Sequence, residues 1–111
     1  MSQNKSAGQH FDFYLGEVIK EIKKKYRPER IILFGSAARG QTKKWSDADL
    51  VIIKNTDKKF YDRIEEVSLL VDHLIPLDIL VYTPKELREM TKWNYFIQNE
   101  VLAKGKVLYE A

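Results

Sequence analysis

Two short apolar runs, Ile31-Ile32-Leu33-Phe34 and Leu50-Val51-Ile52-Ile53, bracket the polar segment 35–49 and constrain the fold more than any other feature of the chain. Short, continuous apolar runs rich in β-branched residues read as strands buried on both faces. The segment between them is then held at one end of a sheet. It opens with Gly35-Ser36, a small-residue turn, and closes with Asp47 and Asp49 as the chain enters the second run. Alternate strand residues share a face, so the two aspartates point the same way, about 6.5 to 7 Å apart along the chain. Ser46 and Asp47 would also suit a helix cap, but the β-branched run that follows makes them the head of a strand. Like charges so placed raise one another's pKa unless a cation sits between them.

The remaining chain supplies the frame. Between residues 11 and 26 the apolar positions Phe11, Tyr14, Leu15, Val18, Ile19 and Ile22 fall three and four apart, which predicts an amphipathic helix stopped before Pro28. Residues 1–9 show no apolar period and read as a flexible tail, with one domain over 10–111. A second helix is predicted over 57–74 from Phe60, Ile64, Val67, Leu70, Val71 and Leu74, with Asp62, Arg63, Glu65 and Glu66 between them as its polar side. A third strand follows at 77–82 and is interrupted by Asp78, which reads as a carboxylate within a buried strand, the alternative being a surface residue on an edge strand or an ion pair with a lysine. Thr83-Pro84-Lys85-Glu86 opens a last helix with an N-cap, an N1 proline and a capping box, and this helix should run to about Ala103. Gly105 ends it, and 106–109 adds an edge strand. The class is α/β (α+β): a small mixed sheet with helices packed mainly on one face.

With 111 residues, 44% of them hydrophobic, the chain has material for one core and is too short for two ordinary domains. It has no cysteine, so thiolate metal sites are excluded and a metal would be held by oxygen, which favours Mg²⁺ or Mn²⁺. No run of 18 apolar residues occurs, and a soluble, cytoplasmic protein without membrane contact is expected. The net charge of +3 comes from lysines interspersed with glutamates, a solvated helix face rather than a nucleic-acid footprint, so no direct nucleic-acid binding is expected. His10 and His73 have no partner at ligand spacing. Trp45 reads as a core-edge anchor, Lys43 and Lys44 as loop cations, and Trp93, Tyr95 and Phe96 as either core or an exposed patch. The two common glycine-rich phosphate motifs are absent.

Gly-Ser, ten intervening residues and Asp-x-Asp, with a third aspartate on a later strand, resembles the nucleotidyltransferase superfamily that includes DNA polymerase beta and the aminoglycoside nucleotidyltransferases. The wording Gly-Ser-Ala-Ala-Arg-Gly followed by Ser-Asp-Ala-Asp-Leu is similar to its minimal nucleotidyltransferase (MNT) branch. That resemblance implies that Gly35, Ser36 and Arg39 contact the triphosphate. It implies that Asp47 and Asp49 ligate two Mg²⁺ ions, and that Asp78 ligates the catalytic ion and helps to deprotonate the acceptor hydroxyl. Ala37 stands where many members carry arginine. The implied activity is transfer of AMP from ATP to a hydroxyl of a partner protein, a tyrosine of a helical HEPN-type toxin of which this chain would be the antitoxin. The alternative is an idle antitoxin that masks its toxin by contact. Homo- or hetero-oligomers are compatible with either.

Overall fold

The computed structural model describes residues 3–41 and 47–111, with side chains from residue 10 onward. Four strands form one sheet in the order β3-β2-β1-β4. They are β1 (Arg30–Phe34), β2 (Ala48–Ile53), β3 (Leu77–Tyr82) and β4 (Lys106–Glu110). β1 runs antiparallel to both β2 and β4, and β2 runs parallel to β3, so the sheet is mixed. Parallel neighbours need a crossover, and α3 (Phe60–Leu70) supplies it.

Strand alternation sorts the apolar side chains into two cores. Ile31, Leu33, Leu50, Ile52, Ile79 and Val81 point to one face, against Val18, Ile22 and Tyr26 of α1 (Gln3–Tyr26) and Val67 of α3. This is the main helical layer. Ile32, Val51 and Ile53 point to the other face, under Leu87 of α4 (Pro84–Met90) and Ile97 and Val101 of a π-helix (Phe96–Ala103). With both faces covered, β1 and β2 need apolar residues at consecutive positions, which is why their runs are continuous rather than alternating.

Three boundaries differ from the sequence reading. The helix α1 begins at Gln3, so it extends back over most of the predicted tail. Gln, Asn, Lys and Ala propagate a helix adequately without an apolar stripe, and periodicity cannot detect such a turn. The second helix is shorter than 57–74, spanning Phe60–Leu70. The predicted last helix is broken in two: α4 stops at Met90, and the chain restarts at Asn94, whose Oδ1 accepts from Ile97 N–H at 3.0 Å. Gln98 Nε2 braces the break by donating to Thr91 O at 2.9 Å. Asparagine in a helix-compatible run competes locally for backbone donors, and here it starts a new segment. The Thr83–Glu86 capping box forms as predicted.

Candidate active site

The sheet presents its site at one end. Leaving β1, the backbone enters a four-residue helix, α2 (Gly35–Ala38), through Gly35 at φ 75°. That positive φ suits glycine, and a second reason for it lies across the sheet. Phe34 pairs with Asp49, and a methyl group built on Gly35 would collide with the Asp49 carboxylate. Gly35 is thus the notch in which that carboxylate lies. The turn closes on itself: Ser36 O accepts from Arg39 N–H at 3.1 Å and from Gln41 N–H at 3.0 Å. Ala37 is buried in the main core while Ser36 is exposed, so the turn is anchored by one residue and offers the next to solvent.

Asp49 lies directly opposite Asp78 in the parallel β2/β3 register. Position 47 precedes β2 and is exposed, at the mouth of the same end. Burial pushes the Asp49 carboxyl above its ordinary value, and the charges of Asp78 and then Asp47 push it in the same direction. The charges of the other two aspartates singled out in the sequence thus both bear on Asp49. Among the described residues no three His, Asp or Glu side chains are close enough as placed to share one ion. The donor set still has the chemistry a hard divalent cation takes: carboxylate oxygens of like charge, with no histidine or cysteine among them.

Asp78 requires a correction. It is not a carboxylate in a buried strand: β3 is an edge of the sheet, and Asp78 is exposed. The apolar run that surrounds it reflects one covered face and the covering of the other by α4. Arg39 is also exposed, and its guanidinium faces Glu100 of the π-helix at 3.5 Å. Lys43, Lys44, Trp45 and Ser46 lie outside the described residues. His10 is exposed, and His73 is tied to Ser68 on the far side of α3. The Trp93, Tyr95 and Phe96 group splits. Phe96 packs edge-on against Phe34 with centroids 5.3 Å apart, whereas Trp93 and Tyr95 are each 70% exposed.

The sequence profile of the nucleotidyltransferase domain matches residues 15–110, a span that includes every site residue named above. The chain belongs to that family. This nucleotidyltransferase is 31% identical over 97 residues to a Methanocaldococcus jannaschii protein named "Putative protein adenylyltransferase MJ0604", covering 84% of this chain and 92% of that one. Its fold is shared with a crystal structure described as a "putative nucleotidyltransferase from Sulfolobus solfataricus". The TM-score is 0.67 at 22% identity, over 99% of this chain and 92% of the other. The match is consistent with an MNT-type domain. A nucleotidyltransferase binds a nucleoside triphosphate, and the family generally uses a divalent metal. Among the described residues no helix is long and apolar enough to cross a membrane.

The sequence reading missed Arg63, the one charged side chain among the described residues that is buried, at 7% exposure. Its guanidinium grips Glu86 through two bonds of 2.7 and 3.1 Å and also donates to Lys58 O and Val81 O. A signal for it existed. Arg63 is three residues after Phe60 and four before Val67, on the apolar stripe of α3 rather than on its polar side. It joins α3, β3 and α4 at the sheet end opposite the aspartates.

Proposed function

We propose that this nucleotidyltransferase is a protein adenylyltransferase: it transfers AMP from ATP to a hydroxyl, a tyrosine, of a helical HEPN-type partner protein, for which it acts as the antitoxin. The observation that carries the chemistry is the register in which Asp49 meets Asp78 beside the Gly35 notch. The homologue named for protein adenylylation supports a protein as acceptor.

In this reading Asp47, Asp49 and Asp78 would hold two Mg²⁺ ions, which when bound supply neutralising charge to the triphosphate and to the attacking oxygen. The Gly35-Ser36 turn takes the outer phosphates on its backbone N–H groups and the exposed Ser36 hydroxyl, and Arg39 leaves Glu100 to face phosphate. The acceptor hydroxyl, held beside Asp78, gives its proton to that carboxylate as its oxygen bonds to the α-phosphorus. The bond from the α-phosphorus to the bridging oxygen breaks, and pyrophosphate leaves. A kinase would instead pass on the γ-phosphoryl group, using a P-loop or a glycine-rich loop and lysine that this chain does not carry.

The test is labelled ATP with Mg²⁺ and the purified HEPN-type protein. Label from the α-position should appear on a tyrosine with release of pyrophosphate. Transfer from the γ-position with ADP left behind would overturn the mechanism. Tight association without transfer would favour masking by contact.

A further inference from the structure

The π-helix Phe96–Ala103 lies against the strand and the turn that carry the phosphate-facing residues. Its Phe96 packs edge-on against Phe34, the residue before Gly35, with centroids 5.3 Å apart. Ile97 and Val101 are fully buried in the core they share with Ile32 of β1 and Val51 of β2. Just beyond the helix, a methyl group built on Gly105 would strike Val101 O and the Ile32 side chain, so both ends of the helix are pressed onto β1. Helices of this kind are rare and recur at functional sites. A carboxylate mounted on so fixed a support has little freedom to withdraw.

Glu100 is that carboxylate. It divides its oxygens between two cations: Oε1 meets Arg39 Nη1 at 3.5 Å, and Oε2 meets Lys104 Nζ at 3.3 Å. Arg39 in turn belongs to the α2 turn, where its backbone N–H donates to Ser36 O at 3.1 Å. The Arg63–Glu86 pair shows by contrast what kind of contact this is. That pair is bidentate, at 2.7 and 3.1 Å, and its guanidinium is buried. Here one guanidinium nitrogen reaches one oxygen at 3.5 Å, longer than a good charge-assisted hydrogen bond, between side chains 44% and 31% exposed. Such a pair adds little to stability and exchanges readily. A phosphate offers the same guanidinium two oxygens in fork geometry, and when Arg39 turns to it Lys104 still neutralises Glu100.

We propose that Glu100 competes with the outer phosphates of the nucleotide for Arg39, so that it weakens the hold on the triphosphate and on the pyrophosphate product alike, and takes Arg39 back as pyrophosphate leaves. This rests on the adenylyl-transfer reading above, in which Arg39 turns from Glu100 to phosphate. The tie between Arg39 and Ser36 puts the competition at the outer phosphates, which become pyrophosphate, rather than at the AMP that is transferred. A hold on those phosphates that is equal in the ground state and the transition state lowers KM without speeding the chemistry, and it delays the product. A fixed internal carboxylate trims that hold. Glu100 touches no reacting atom, so it is a positioning residue that acts through Arg39.

The probe is Mg-pyrophosphate, its binding to the full chain followed by calorimetry, with Mg-ATP and AMP measured alongside. Glu100→Gln keeps the size of the side chain and should tighten pyrophosphate and ATP binding about three- to fivefold, the worth of an exposed ion pair, while AMP binding stays unchanged. In transfer assays KM for ATP should fall, and inhibition by pyrophosphate should strengthen, by the same factor. Arg39→Gln should weaken pyrophosphate binding, and in that background Glu100→Gln should have no further effect. Pyrophosphate binding left unchanged or weakened by Glu100→Gln would overturn the competition and leave adenylyl transfer standing. An equal gain for AMP, or a gain that persists in the Arg39→Gln background, would assign the effect to the charge of Glu100 acting at a distance and overturn the exchange. A full chain that binds neither Mg-ATP nor Mg-pyrophosphate would overturn the inference through failure of the transfer reading itself.

Discussion

The two ends of the sheet treat charge in opposite ways. At one end Asp49 lies opposite Asp78, with Asp47 just before β2, and the carboxyl of Asp49 is held above its ordinary value by burial and by the charges of the other two. At the other end Glu86 is held below its ordinary value, first by the hydrogen bonds from Arg63 and also by the Thr83 cap. Both groups are carboxylates on strands or helix starts of one small domain. The difference is that Arg63 travels with the fold, whereas among the described residues no cation is paired with the aspartates. A paired charge is part of the architecture, and a carboxyl raised by burial and like charge marks a candidate site.

Removing charge at the two ends tests that contrast. The largest effect is expected for Asp47→Asn and Asp49→Asn, each lowering transfer at least about 10³-fold, since developing charge in the transition state loses its support. Full activity of either variant at ordinary Mg²⁺ would remove its aspartate from the site. Asp78→Ala should lose transfer to a similar extent yet keep appreciable Mg-ATP binding, because its role is at the attacking hydroxyl. Calorimetry in which ATP binding vanishes along with activity would make Asp78 a binding or structural residue instead.

At the neutralised end, Arg63→Met should leave the aspartates untouched and cost about 2 to 3 kcal/mol of stability. That is less than the full cost of breaking a buried pair, because the Glu86 side chain is 41% exposed. Chemical denaturation of the variant with an unchanged midpoint would show that the grip on Glu86, Lys58 O and Val81 O is dispensable. Gly35→Ala should cost about 1 to 3 kcal/mol from its positive φ, and should lower activity further by displacing the Asp49 carboxylate. A variant that kept its rate while losing stability would mean that the notch serves the fold alone.

The smallest effects are those of pH, and they have opposite signs at the two ends. The folded-state pKa of Glu86 is depressed, so its contribution is fully present above the ordinary 4.5 and is lost as pH falls through the lower folded value. Asp49 is raised, so its destabilising charge is fully present above its folded pKa and fades as pH falls through it. Asp49→Asn should therefore stabilise the ligand-free protein slightly near neutrality, by well under about 1 kcal/mol given its partial exposure, and the gain should shrink in acid. Thermal melts from pH 7 to 3 separate the two: an Asp49→Asn gain that grew toward low pH would contradict the assigned shift.

The site end was far more legible in sequence than the neutralised end, for physical reasons. Gly35, Asp47 and Asp49 announce themselves because each breaks a local rule, polar or flexible residues abutting buried strands, and the pattern matches a known family. The burial expected around Asp78 fails because a run of apolar residues does not distinguish an edge strand roofed by a helix from a central one. Arg63 was passed over because a charged residue on a helix is by default assigned to solvent, and only the stripe formed by Phe60 and Val67 argues otherwise. The break at Asn94 escaped because helix propensity falls only mildly across Thr91-Lys92-Trp93-Asn94, and a single side-chain acceptor decides the outcome.

The placement of β4 has a consequence for how the chain reaches this state. β1 pairs with β2 across the short site segment, but on its other side with Lys106–Glu110, so that Leu33 meets Lys106 and Ala111 N–H reaches Glu29 O at 2.9 Å. The strand that leads into the Gly35 turn is therefore flanked by a near neighbour and by a very distant one. Closing so long a loop is slow, and until it closes β1 is a bare apolar edge. Nascent or truncated chains lacking the β4 strand would carry that edge exposed and would be drawn into aggregates or chaperones. Loss of a few residues of β4 would then show in the cell as low abundance rather than as a slow enzyme.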